Sequence, residues 1–167
     1  GGFMGSEIRL QNTENNTNEV LFSDGASAQS GDDMVLEAKL RRTTDLRTRA
    51  RTAGVVNGAT AYNTHSISSN NAVVLTGASV EVTGREKTLT MASSAEENIH
   101  AEAIGDLQGG LAGGAGAHVN LTLNRDNHVT IDKASQVYSS GDLGLFAGRD
   151  AAGKNASLTL TAYAHAY

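Results

Sequence analysis

The chain contains no cysteine, no proline and no tryptophan in 167 residues. Without cysteine there is no disulfide, no thiolate metal site and no thiol nucleophile, and a chain of this size, if secreted, can do without disulfides only where backbone pairing holds it together. Aromatic residues are scarce as well, four Tyr and three Phe, so the core cannot be built around rings. No run of about 18 apolar residues occurs, and a membrane-spanning helix is therefore not expected. No signal-peptide pattern opens the chain. The start, GGFMGSEIRL, reads as a cut within a longer chain or a cloning remnant, and residues 1–19 are expected to be irregular. A net charge of −5 does not suit a specific nucleic-acid binder.

Small and polar residues fill the space left by these absences: 86 of the 167 residues are Ala, Gly, Thr, Ser or Asn. Disordered chains share that bias but are enriched in charge and proline, whereas charged residues make up 19% here and proline is missing. The small residues are therefore expected to pack in narrow layers. The segment SSGDLGLFAGRD (139–150) illustrates the pattern, with a strand of a few residues held between glycine turns.

That pattern repeats. VLFSDGASAQSGDDMVLEA (20–38), VVLTGASVEVTGREKTLTMA (73–92) and VTIDKASQVYSSGDLGLFA (129–147) each run from an apolar strand through Ala-Ser and a polar turn to a second strand ending in Ala. The Ala-Ser pairs Ala26-Ser27, Ala78-Ser79 and Ala134-Ser135 recur at an interval of roughly 54 residues, as repeat architectures do. Nearly every apolar position fits a period of two, the mark of strands. The nearest approach to a helix is MVLEAKLRRTTDLRTRARTA (34–53), interrupted by four threonines. The expected fold is all-β with little or no helix: a parallel β-helix or β-solenoid over 20–167, with approximate repeats beginning near 20, 73 and 129. Ala, Val, Leu and Ser would stack in ladders between coils about 4.8 Å apart. A repeat of this length is expected to hold two or three coils. The alternative is an antiparallel β-sandwich.

The segment GGLAGGAGAHVNLTLNRDNHVTIDKASQVYSSGDLGLFAGRDA (109–151) resembles the passenger repeats of large bacterial filamentous adhesins of the filamentous-haemagglutinin and leukotoxin type. In those a Gly/Ala-rich strand, a V-N-x-x-x-N stretch, an apolar strand, an A-S-x-V strand and a G-D-L-x-L-x-A-G strand follow in series. The resemblance covers 70–167 well, 20–38 loosely and 39–66 poorly. It implies a right-handed parallel β-helix, secretion to the bacterial cell surface, and a role in attachment or fibre building. The secretion-domain start of that family is not recognisable, so an internal shaft segment is expected.

Chemistry-bearing residues are sparse. The five histidines (65, 100, 118, 128 and 165) form no metal-ligand spacing. His100 and Glu102 share a strand face and could hold a cation, although a solvated surface is the plainer reading. The carboxylates of Asp32-Asp33 and Glu96-Glu97 are adjacent, so on a strand each pair would point to opposite faces; they are expected in turns. GLAGGAGA (110–117) has no Lys-Ser/Thr after it and is no phosphate loop. No catalytic residue, metal or cofactor is expected.

One cluster stands out. Lys39, Arg41, Arg42, Arg47, Arg49 and Arg51 hold six of the 13 basic residues. Arg47, Arg49 and Arg51 alternate, so on a strand they line one face. Such a row could bind sulfated glycan or another polyanion. The plainer reading is a solvated face partly neutralised by Asp45, or a contact to an acidic neighbouring segment. Asn15, Asn120 and Asn155 open N-x-S/T sequons that could accept sugar. The sequence thus points to a non-catalytic structural or adhesive segment at the bacterial cell surface. Its expected partners are neighbouring solenoid segments, from the same or another copy, and host or bacterial surface glycans. The competing readings are a self-assembling filament subunit and a β-helical polysaccharide-degrading enzyme.

Overall fold

Period-two alternation, carried through by Thr, Val and Ala, produces strands of unusual length. The computed structural model describes residues 3–167 and contains ten strands and no helix among them. In chain order these are β1 (Phe3–Phe22), β2 (Ser27–Ser30), β3 (Met34–Ala53), β4 (Val56–Leu75), β5 (Ser79–Val82), β6 (Leu89–Gln108), β7 (Ala112–Ile131), β8 (Gln136–Ser139), β9 (Leu143–Ala147) and β10 (Ser157–Ala166). All ladders between them are parallel, which excludes the antiparallel sandwich. Residues 3–19, expected to be irregular, belong to β1. The helix-friendly stretch 34–53 is β3, paired along its whole length with β6. Tertiary pairing overrides its local propensity.

The strands form three sheets, β1-β4-β7, β3-β6-β10 with β9 also on β6, and β2-β5-β8. Each coil runs out along a 20-residue strand, turns a corner through a four-residue strand and returns along the opposite sheet. A 20-residue strand spans about 66 Å, so the coil is long and flat. Advancing by one coil carries Phe3 to Val56 and Val56 to Ala112. One repeat is therefore one coil, not the two or three expected, because its two long strands use up the repeat length. The Ala-Ser alignment also needs adjusting. Ser27 stacks on Ser79, but Ser79 stacks on Gln136. The corners of the first and third coils hold four residues and that of the second three, and in the third copy Ser135 is the last corner residue instead of the first strand residue. In the third coil a loop between β9 and β10 interrupts the return strand. It is held down by Lys39 Nζ to Asp150 Oδ2 at 2.6 Å and by the Ala151 amide donating to Glu37 at 2.9 Å.

The two long sheets pack face to face, and the interior between them changes along its length. At the corner end, Val73, Leu75, Val80, Val82, Leu89 and Met91 form an apolar cluster. At the tight-turn end the filling is Ala50, Ala59, Ala61 and Ala103. The middle is mixed, with Asn63, His65, Ser69, Asn71, Ser93 and Glu97 buried beside Ile67 and Ile99. The alanine end exists because the sheets approach too closely for anything larger: a Cβ on Gly105 would lie 2.3 Å from the Gly116 carbonyl oxygen and 3.0 Å from that of Ala59. At the corner, Gly77 adopts φ 59°, a left-handed conformation that glycine takes without strain.

Gly105→Ala should therefore destabilise the fold by about 1–3 kcal/mol through overpacking against backbone that cannot step aside. Gly114→Ala, at a position with nothing within 4 Å of the added atom, should be neutral or stabilising. Chemical denaturation of both variants beside the parent checks the difference.

Candidate functional surface

The basic cluster divides by strand parity. Odd-numbered residues of β3 face outward, so Lys39, Arg41, Arg47, Arg49 and Arg51 lie on the outer face. Arg42 faces the interior, its side chain only 10% exposed. The six basic residues therefore do not form one surface.

Parallel stacking brings the acidic positions of β6 beside the outer row. Arg47 lies opposite Glu102 and Arg51 opposite Asp106. Arg41 Nε is 3.2 Å from Glu96, and Arg47 Nε is 3.2 Å from Asp45 and 3.6 Å from Glu102. Arg49 Nη2 and Arg51 Nε both donate to Asp106 Oδ2, at 2.5 and 3.0 Å. The hydrogen bond from Arg49 is the largest influence holding the Asp106 carboxyl below the usual carboxylate range, with Arg51 adding to it. The Glu96 carboxyl is held low mainly by Lys154, then by Arg41. Solvent screens exposed pairs of this kind, and they stabilise a fold little. They do neutralise the row, so an external polyanion would have to compete with the protein's own carboxylates.

Arg42 belongs to a second arrangement, one that sequence reasoning missed. Its Nη2 donates to Glu97, whose side chain is fully buried, and its Nη1 donates to Glu14 Oε2 at 3.2 Å. Arg125 Nη1 lies 3.9 Å from the other Glu97 oxygen. Two carboxylates and two guanidinium groups thus form a chain through the core, crossing from the first coil to the third. The signal lies in the doublets Arg41-Arg42 and Glu96-Glu97. On a strand one member of each must point inward, and Glu96-Glu97 lies within β6, not in the turn expected for it. Asp32-Asp33 does sit in a turn.

His100 and Glu102 do share the outer face. Glu102 faces Arg47, and the His100 ring lies 5.6 Å from Tyr163. Among the described residues no group of three or more His, Cys, Asp or Glu is placed to hold a metal ion. Tyr163, His165 and Tyr167 form an exposed row with neighbouring rings 5.8 and 5.9 Å apart. Asn15 and Asn120 are exposed on strands and Asn155 is exposed in the loop before β10. On the inside, His65 is 1% exposed and neither ring nitrogen has a hydrogen-bond partner among the described residues.

The buried ion chain should respond asymmetrically to mutation. Arg42→Ala leaves Glu97 buried without its main partner and should cost about 3–5 kcal/mol, whereas replacing the pair together, Arg42→Met with Glu97→Leu, should restore most or all of that stability. Urea unfolding of the single and double variants reads this directly.

His65 should make the fold acid-sensitive above the carboxylate range. Burial lowers its pKa, opposed by the nearby Glu14 charge, so the unfolded imidazole takes up a proton first. The stability this gives is complete above about pH 6.5 and is lost as pH falls below it, by at most about 1.4 kcal/mol per pH unit. Melting between pH 7.5 and 5 should show this slope, and His65→Leu should flatten it.

No family model, curated protein or solved structure matches this chain.

Proposed function

We propose that the chain is a non-catalytic structural and adhesive segment of a secreted bacterial surface filament or adhesin, serving attachment to cells or matrix. The observation that carries this reading is the stacking itself. Each coil repeats the outline of the one before it and lies on it by parallel pairing. Such an architecture lengthens by adding coils while its cross-section stays the same, which suits a shaft. The resemblance of 109–151 to filamentous-adhesin passenger repeats supports the same role. The outward strand positions are rich in Ser, Thr and Asn, side chains that can hydrogen-bond to the hydroxyls of surface glycans. The outer arginines provide a cationic stripe, already balanced by Glu102 and Asp106.

Heparin chromatography tests the glycan-binding part. Retention should appear at low ionic strength and vanish by roughly 0.15 M salt, following the counterion logic that governs polyanion binding. Arg47→Ser with Arg49→Ser and Arg51→Ser should remove it, and Asp106→Asn should strengthen it by freeing two guanidinium groups. Absence of retention at low salt, or a triple variant that elutes with the parent, would overturn the polyanion role of this stripe.

A further inference from the structure

We infer that the Lys39 amine and the Asp150 carboxyl condense to an amide, a side-chain cross-link that ties the first coil to the loop of the third. The bond does not depend on the adhesive reading. It goes beyond that reading by giving a chain without cysteine a covalent staple.

Coils are otherwise joined by backbone pairing and by side-chain columns. One such column is the asparagine ladder, in which Asn18 Nδ2 donates to Asn71 Oδ1 at 3.0 Å and Asn71 Nδ2 donates to Asn127 Oδ1 at 3.1 Å. The loop between β9 and β10 makes a different contact. Its Gly148 amide donates to the Ser93 carbonyl of the second coil at 2.8 Å, and its next residues reach Glu37 and Lys39 of the first. Ala92 and Ser94 are outward positions of β6 that share columns with Glu37 and Lys39, yet they are 0 and 3% exposed, because the loop and its anchors cover them.

Under that cover Lys39 Nζ lies 2.6 Å from Asp150 Oδ2, with side chains 29 and 8% exposed. The other lysine–carboxylate pairs among the described residues are open to solvent. Lys87 and Asp32 are 37 and 78% exposed, and Lys154 and Glu96 are 56 and 41% exposed. Only at Asp150 is the carboxylate shielded. An amine this close to one carboxyl oxygen is a single bond further from the carboxyl carbon, within near-attack reach. The other oxygen, Oδ1, accepts the Lys154 amide at 2.8 Å. That is a fixed backbone donor where negative charge develops as the carbon becomes tetrahedral. Glu37 stands two residues before Lys39 on the same outer face. Its Oε1 accepts the amide of Ala151, the residue after Asp150, at 2.9 Å, which sets a second carboxylate beside the pair.

The reaction is a condensation and needs no oxidant, reductant or co-reactant. The Lys39 hydrogen bond is the largest influence holding the Asp150 carboxyl below the usual carboxylate range, so a proton must first pass from Nζ to Oδ2. That transfer turns two shielded charges into two neutral groups, which a dry site favours. The freed Nζ lone pair then forms a bond to Cγ, and the electrons of the C=O double bond move onto Oδ1. A proton leaves the nitrogen and passes through Glu37 to the Oδ2 hydroxyl. The Cγ–Oδ2 bond breaks, Oδ1 recovers its double bond, and one water departs. Ammonium and carboxylate have become amide and water. The two residues are 111 apart in sequence, and the whole second coil lies between them. Tension on the chain therefore passes through the staple and spares the strands of that coil.

Mass spectrometry of the full chain tests this. The purified protein should weigh one water less than its sequence. Trypsin should release a branched peptide joining 10–41 to 150–154, because cleavage after an acylated Lys39 is blocked. Lys39→Arg keeps a cation opposite Asp150 but cannot form this amide. It should retain the circular dichroism of the parent, carry its full mass and yield no branched peptide. Glu37→Gln should cross-link at least tenfold more slowly after refolding, and a rate equal to the parent's would remove Glu37 from the step. A parent at full mass, with Lys39 and Asp150 forming an ion pair only, would overturn the proposal. So would loss of water without the branched peptide, as from a succinimide at Asp24-Gly25, or loss of water that persists in Lys39→Arg. None of these readouts involves heparin, so failure here leaves the adhesive reading untouched.

Discussion

In-register parallel pairing along the whole of each long strand sets every inward side chain directly against its counterpart in the next coil. Coils lie about 4.8 Å apart, so a column of side chains must be mutually compatible at that spacing. Alanine columns satisfy this by size, valine and leucine columns by packing, and asparagine columns by hydrogen-bonding to themselves. A lone charge does not, and the core accommodates charge only where acid and base alternate. The composition, heavy in Ala, Ser, Thr and Asn and nearly free of rings, is the composition such columns select.

The interior is consequently zoned. Apolar burial is concentrated at the corner, where three sheets meet and the larger side chains have room. At the opposite end, small residues let two backbones come almost into contact. Between these lies the polar belt containing Glu97, Arg42, His65 and the asparagine ladder. Polar groups here contribute less to stability than apolar ones of equal volume, but they penalise slippage. A shift of one residue along a strand sends every inward side chain outward, and a shift of two separates Arg42 from Glu97 and breaks the amide ladder. In strand pairs this long, rich in interchangeable Ala, Ser and Thr, that discrimination has a clear use.

Much of this is legible in the sequence. Period-two alternation marks the strands, the three Ala-Ser segments mark the coil spacing to within a few residues, and the missing aromatics mark the thin core. The number of coils per repeat is not legible, because nothing local in a Thr-rich stretch distinguishes one very long strand from several shorter ones. Met34–Ala53 shows why: its propensity is ambiguous, and only pairing with Leu89–Gln108 makes it a strand. The arginine row is visible, and so is the option that an acidic segment neutralises it. Its partners Glu102 and Asp106, however, lie a full coil away along the chain and emerge only through the register. Sequence proximity groups Arg42 with the outer row, although parity alone separates it from Arg41.

The spacing of the pairing strands also governs how the chain can reach its fold. Every ladder joins strands at least one full coil apart in sequence, so each must close a long loop before its first hydrogen bond forms. Topologies dominated by such distant contacts fold slowly, because loop entropy is spent before contacts repay it. A finished coil changes that balance for the next one. It presents a rigid edge of known register, and each added residue then gains one pairing partner already held in place. Folding of this architecture is therefore a growth process with a difficult first coil and faster successors, and its rate is set by nucleation rather than by chain length.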